Sequence, residues 1–226
     1  MKMIVSVVLL AVVAIVGVAG YSMFKPPAAA TAPVTSAPVT TGGAASSAAA
    51  NVYEIDQNTS SARFIIDEIL RGSPYTVVGQ TNQVAGQISA NLTDLDAAQV
   101  GQIRINARTL TTDAESRNRM LKNQILLTDQ HEYITFTPAR MVGLPDSTPV
   151  GQSFTFQMVG NLDIKGTTRE TTFDVTVTPT AENRLEGKAI AQVKYADWGI
   201  TIPQVPSVTG VSDQVALHLD FVAIDS

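Results

Sequence analysis

The chain has 226 residues, a formal charge of −5 and no cysteine. A negative balance repels phosphate backbones and argues against nucleic acid as a partner. The missing thiols exclude disulfides, thiolate metal sites, cysteine nucleophiles and acylated-cysteine anchors.

Composition divides the chain into three parts: apolar over 1–25, low in complexity over 26–51, and mixed, as in a folded domain, over 52–226. Met3 to Gly20 is apolar except for Ser6, with Lys2 before it and Tyr21, Phe24 and Lys25 after it. A spanning helix needs roughly 17 to 25 such residues, whereas the apolar core of a cleaved signal peptide has about 7 to 15. The segment is therefore expected to be an uncleaved signal anchor with interfacial aromatics. A signal peptide cleaved after Val18-Ala19-Gly20 is the alternative. The rest of the chain is expected outside the cytoplasm, held at the cytoplasmic membrane by the N-terminal helix or, after cleavage, periplasmic or secreted. Residues 26–51 are almost all Ala, Pro, Thr and Ser and carry no charge. Such a stretch cannot offset its ordering entropy and is expected to be a disordered tether reaching on the order of 25 to 30 Å.

From Val52 onward the dominant signal is alternation, the mark of strands with one buried face. Tyr53 to Asp56 opens the domain. Ser61 to Leu70 follows with Phe64 and Ile66 on one side, then Tyr75 to Gln80, Val84 to Ile88, and Val100 to Leu110 with Ile103, Ile105 and Ala107 alternating with polar residues. Asp94 and Asp96 fall in a turn and lack the further oxygen ligands of a calcium loop. Glycines within these runs, at Gly79, Gly86, Gly101 and Gly160, are expected where strands bend or bulge.

Asp113 to Leu127 breaks the period. Thr112 or Asp113 can cap a helix whose stripe is Ala114, Leu121 and Ile125. Strands resume over Tyr133 to Arg140. Phe154, Phe156 and Met158 then face Phe173, Val175 and Val177 across a hairpin turning at Lys165-Gly166-Thr167. Leu185 to Tyr195 and Asp213 to Ile224 complete a set of roughly eight to ten strands. One helix cannot cover such a sheet, so it is expected to close on itself or fold into a sandwich.

The chain resembles the YceI-like periplasmic proteins over nearly all of residues 53 to 225. The most specific matches are Val159 to Arg169, read Val-Gly-Asn-Leu-Asp-Ile-Lys-Gly-Thr-Thr-Arg, and Tyr195-Ala196-Asp197-Trp198-Gly199-Ile200. Arg117-Asn118-Arg119-Met120-Leu121 and Val211 to Val215 agree more loosely; Asn118 stands where the family has an acid, Met120 where it has a histidine, and Glu68 falls near another histidine position. The resemblance implies a closed antiparallel barrel of about eight strands, lipocalin-like, with one helix between strands, holding a polyisoprenoid or other long-chain lipid.

Candidate wall residues come from the inward faces: Phe64, Ile66, Ile88, Ile105, Phe136, Phe154, Phe156, Leu217, Leu219 and Phe221, with Leu121 and Ile125 closing one end. Trp198 is expected either where the wall meets the opening or in a corner of the core. Arg117 and Arg119 are head-group candidates because guanidinium suits phosphate oxygens, against the alternative of a solvated helix face. His131 and His218 have no ligand-spaced partner and are expected to face solvent. No nucleophile, base and acid arrangement is present, and Asp197 and Asp213 look structural. No metal, cofactor or catalytic residue is expected, and a homodimer is left open. The reading is a non-enzymatic carrier or store of a long-chain isoprenoid, quinone or related lipid, with a lipid-modifying enzyme or a solidly packed envelope module as alternatives.

Overall fold

The computed structural model describes residues 25–39 and 50–225. Most of the expected anchor and residues 40–49 of the tether lie outside the described residues. Among the described residues no helix is long and apolar enough to cross a membrane.

Among the described residues, thirteen antiparallel strands form one curled sheet. They are β1 (Asn51–Ile55), β2 (Ser61–Leu70), β3 (Ser73–Thr81), β4 (Val84–Ala85), β5 (Gln87–Asn91), β6 (Asp94–Val100), β7 (Ile103–Asn106), β8 (Tyr133–Val142), β9 (Phe154–Ile164), β10 (Thr167–Ala181), β11 (Arg184–Lys194), β12 (Val208–Thr209) and β13 (Gln214–Asp225). The ladder runs β4-β7-β8-β9-β10-β11-β13-β1-β5-β6. β13 is the fork: its C-terminal half pairs with β1, whereas Ala216 to Asp220 pairs with β2, which carries β3 and β12.

The expected closed ring is corrected by this fork. Because β13 feeds two branches, the sheet is an open half-barrel, with β3 and β6 as margins that pair along only one neighbour apart from a single bridge between Gln80 and Thr111. Gly86 is the one residue between β4, at one end of the ladder, and β5, next to the other end.

The hairpin β9–β10 turns through Lys165 (φ +55°) and Gly166 (φ +72°), the paired positive φ of a tight two-residue hairpin turn. The Asp163 carboxylate accepts from Gly166 N (3.2 Å) and from the Thr168 hydroxyl (2.8 Å). The second matched motif docks against this hairpin. Arg169 Nε donates to Asp197 O at 2.9 Å, and the indole of Trp198, buried, donates to Leu162 O at 3.1 Å.

The expected helix is shorter than its apolar stripe. α1 (Glu115–Met120) continues as a π-helical turn over Leu121–Ile125. Ala114 holds the N-cap position, and Thr112 donates from N (2.6 Å) and hydroxyl (2.8 Å) to Asn118 Oδ1. The strand expected over Val100 to Leu110 ends at Asn106, whose buried side chain accepts from Arg108 N at 3.0 Å and starts a 3-10 turn.

Residues 25–39 do not hang free but run along the outside of the sheet. Val34 is only 2% exposed. Thr31 N donates to Glu132 Oε1 at 2.9 Å and Val39 N to Gln87 Oε1 at 3.1 Å.

Candidate functional site

The concave face of the sheet encloses a cavity of about 190 Å³. Alternation puts one side chain in two on this face; those that line the cavity are apolar, and buried Glu68 and Thr171 lie farther along β2 and β10. Of the wall residues expected from sequence, Phe64, Ile88, Ile105, Phe136 and Phe154 line it, as do Phe156, Leu217, Leu219 and Phe221. Arg63 and His218 also border it. They pair with each other across β2 and β13, flanked by inward-facing Ala62, Phe64, Leu217 and Leu219, so their side chains lie on the convex face. There Arg63 forms an ion pair with Asp220.

Four expected wall residues are not brought to the cavity. Leu121 and Ile125 belong to the adjoining core under the π-helical turn, Trp198 fills a core corner behind the hairpin, and Ile66 lies farther along β2. The structure adds others. Leu162 and Ile164 continue the period-two series Phe154, Phe156, Met158 of β9, a signal visible in the sequence. Leu92, Leu95 and Leu144 come from turns or the edge strand, where no period marks them.

Three glycines explain why so many phenylalanines leave a hollow. Gly79 stands opposite Phe64 and Gly187 opposite Phe221 in the ladder. A Cβ at Gly187 would lie 2.5 Å from Phe221 Cζ, and one at Gly160 would lie 2.7 Å from Phe136 Cζ. At Gly79 it would lie 2.1 Å from Phe64 Cε1. Each ring therefore lies flat on the strand beside it, in the space a side chain would take, rather than standing into the lumen. Phe136 also meets Phe173 edge to face, with centroids 5.0 Å apart.

The expected head-group arginines are engaged elsewhere. Arg117 bridges Glu68 (Nη2 to Oε1, 3.0 Å) and Asp113, and lies over the Tyr75 ring. Arg119 pairs with Glu115 at 3.0 Å, one turn away. Tyr75 donates to Asp113 at 2.8 Å. That bond holds the Asp113 carboxyl below its ordinary range despite partial desolvation, with Arg117 adding to the effect, and raises the Tyr75 phenol. Among the described residues no three His, Asp or Glu converge to hold a metal.

The family model of the YceI-like domain matches residues 53–223. Among solved structures, the chain is similar to a polyisoprenoid-binding domain from Saccharophagus degradans implicated in plant cell wall breakdown, with TM-score 0.61 and 16% identity, covering 77% of this chain and 98% of that one. It is similar to Burkholderia cenocepacia BcnA with TM-score 0.59 and 16% identity, covering 74% and 98%. A Campylobacter jejuni YceI protein follows at TM-score 0.52 and 14% identity, covering 63% and 81%. At these identities the likeness carries the fold. No curated protein sequence matches.

Proposed function

Since this chain belongs to the YceI-like family, we propose that it binds the hydrocarbon tail of a polyisoprenoid, quinone or related lipid within the half-barrel, for carriage or storage. The observation that carries the reading is the cavity of about 190 Å³ with apolar side chains on every side. It exceeds the roughly 150 Å³ apolar cavity that stays dry and takes up benzene. With a methylene taken as roughly the size of a water, about 30 Å³, it accommodates on the order of six. Their removal from water, at about 0.8 kcal/mol each, supplies about 5 kcal/mol before association costs. A longer tail therefore needs more room than the cavity now offers, and its polar end stays outside, because no charged side chain faces into the cavity itself to receive it.

The polyisoprenoid binding of the Saccharophagus domain supports the choice of tail. The wall also favours holding over chemistry: a lipid-modifying enzyme working here would need a carboxylate or imidazole inside the cavity, and the acids and histidines lie outside it. The apolar stretch Met3–Gly20 would act as a signal anchor that keeps the domain at the outer side of the cytoplasmic membrane, within reach of such lipids.

Titration of the full chain with the fluorophore N-phenyl-1-naphthylamine tests the reading. Enhanced fluorescence that farnesol displaces is the expected result. No enhancement, or enhancement that farnesol leaves untouched, would refute it.

A further inference from the structure

At one end of the ladder the half-barrel is held by its shortest pairing, and the stretch around it is its seam. β4 holds β7 through only two pairs, Val84 with Ile105 and Ala85 with Arg104. The next residue, Gly86, has no side chain, and a Cβ there would collide with Ile103 and lie 3.3 Å from Ile55 Cδ1, both of which line the cavity. A single strand thus separates the cavity wall from the outside at this seam.

Residues 25–39 cross that strand. On the β7–β8 side, Lys25 Nζ meets Asp129 at 2.5 Å, Ala28 N donates to Asp129 at 3.1 Å and Arg108 Nη1 donates to Ala29 O at 3.2 Å. The Thr31 hydroxyl and N–H both donate to Glu132. At the seam, Ser36 Oγ donates to Gly86 O at 3.3 Å and Val34 N to Gln83 Oε1 at 3.2 Å. On the β1–β5 side, Gln57 Nε2 donates to Val34 O at 2.6 Å, and Val39 N to Gln87. Val34 is the one buried side chain of the segment. Pro26, Pro27, Pro33 and Pro38 restrict the free chain and lower the entropy cost of docking.

We propose that residues 25–39 form a clasp across the seam of the half-barrel, and that its release sets the rate at which a hydrocarbon tail enters and leaves the cavity. The proposal rests on the reading of the cavity as a lipid site. The hydrogen bonds that hold the segment are exposed or only part-buried and it buries one valine, so it opens far more readily than the core strands. Once it lifts, the β4–β7 pairs and the flanking bonds of Asn106 N to Gln83 O, Ile55 N to Gly86 O and Gly101 N to Gln87 O hold the seam, and their opening supplies the room a long tail requires.

The test uses the full chain carrying Val34→Asp, which charges the buried contact without touching the cavity wall. Stopped-flow mixing with N-phenyl-1-naphthylamine should show association and dissociation both faster by roughly tenfold, the factor expected from losing one or two such contacts, with little change in affinity. Amide exchange should rise at Ile55 and Gly101, which donate to Gly86 and Gln87, while β9–β10 stays protected. As a second variant, Val39→Cys with Gly101→Cys exploits a Cβ position 3.3 Å from Val39 Cγ2 in a chain without other cysteines. Oxidised, it should exchange the probe more slowly than the same protein reduced. Probe kinetics unchanged in both variants would overturn the proposal. If the unsubstituted chain binds no probe, the lipid reading fails, and amide exchange alone then decides the clasp: no rise at Ile55 and Gly101 in Val34→Asp overturns it.

Discussion

Replacing Gly79 with alanine should close the cavity from within. The three nearest neighbours of a Cβ at this position are all atoms of the Phe64 ring. The most distant of the three, Cδ1, is 2.9 Å away, where ordinary contact begins at 3.4 Å. The backbone of Gly79 is in the common extended region, so alanine itself is not strained there. The ring must therefore leave the strand and stand into the lumen. Such overpacking costs about 1 to 3 kcal/mol, and a phenyl ring takes most of a cavity of about 190 Å³. Urea unfolding should show that loss, and N-phenyl-1-naphthylamine should no longer bind. In a Phe64→Ala background, which itself costs about 3 kcal/mol, Gly79→Ala should cost close to nothing and binding should return. Equal destabilisation in both backgrounds, or a single Gly79→Ala variant that binds like the parent, would refute the argument that glycines seat the rings.

Trp198→Phe should destabilise by about 1 to 3 kcal/mol in urea, because the buried Leu162 carbonyl loses its donor, while probe affinity stays unchanged because Trp198 is off the cavity wall. Arg117→Met should cost about 3 kcal/mol by leaving Glu68, 9% exposed at its side chain, without its guanidinium, and Glu68→Met added to it should recover most of the loss. The clasp should be sensitive to acid. The Lys25 ammonium and the Ala28 N–H hold Asp129 below its ordinary 3.8. Burial pushes Glu132 up, but Thr31, Arg108 and Asn106 outweigh it and hold the group below its ordinary 4.5. Carboxyls lowered by folding contribute stability above their ordinary values and lose it as pH falls through the lowered ones. Exchange protection at Ala28 and Thr31 should therefore be intact at neutral pH and decline below about pH 4. Protection unchanged down to pH 3 would contradict the assignment.

The elements that read most clearly in the sequence were those whose alternation is long and unbroken: the β9–β10 hairpin, β11 and β13. β6 does not read as a strand, because Asp-Leu-Asp-Ala-Ala-Gln-Val looks like a turn and an edge strand paired with β5 tolerates acids that a central strand would not. The fork at β13 has no local signature, since nothing in a strand's own residues says that two strands will share its far side. Gly79 and Gly160 stood out as strand glycines, but their work is to seat rings, and only the facing phenylalanines show that. Arg117 was noticed for its charge, yet Glu68 lies 49 residues away, a distance no short-range pattern spans. The Ala, Pro and Thr of residues 25–39 mark a chain that cannot fold alone. Whether it docks depends on Gln57, Gln83, Gln87, Asp129 and Glu132, which only the folded sheet brings into line.

Native mass spectrometry of the delipidated full chain after incubation with farnesol tests the hollow most directly. The account predicts one bound farnesol per chain, absent from Gly79→Ala and restored in the Phe64→Ala, Gly79→Ala double variant. A chain that shows only its own mass at every farnesol concentration, or a Gly79→Ala variant that carries the lipid as the parent does, would contradict it.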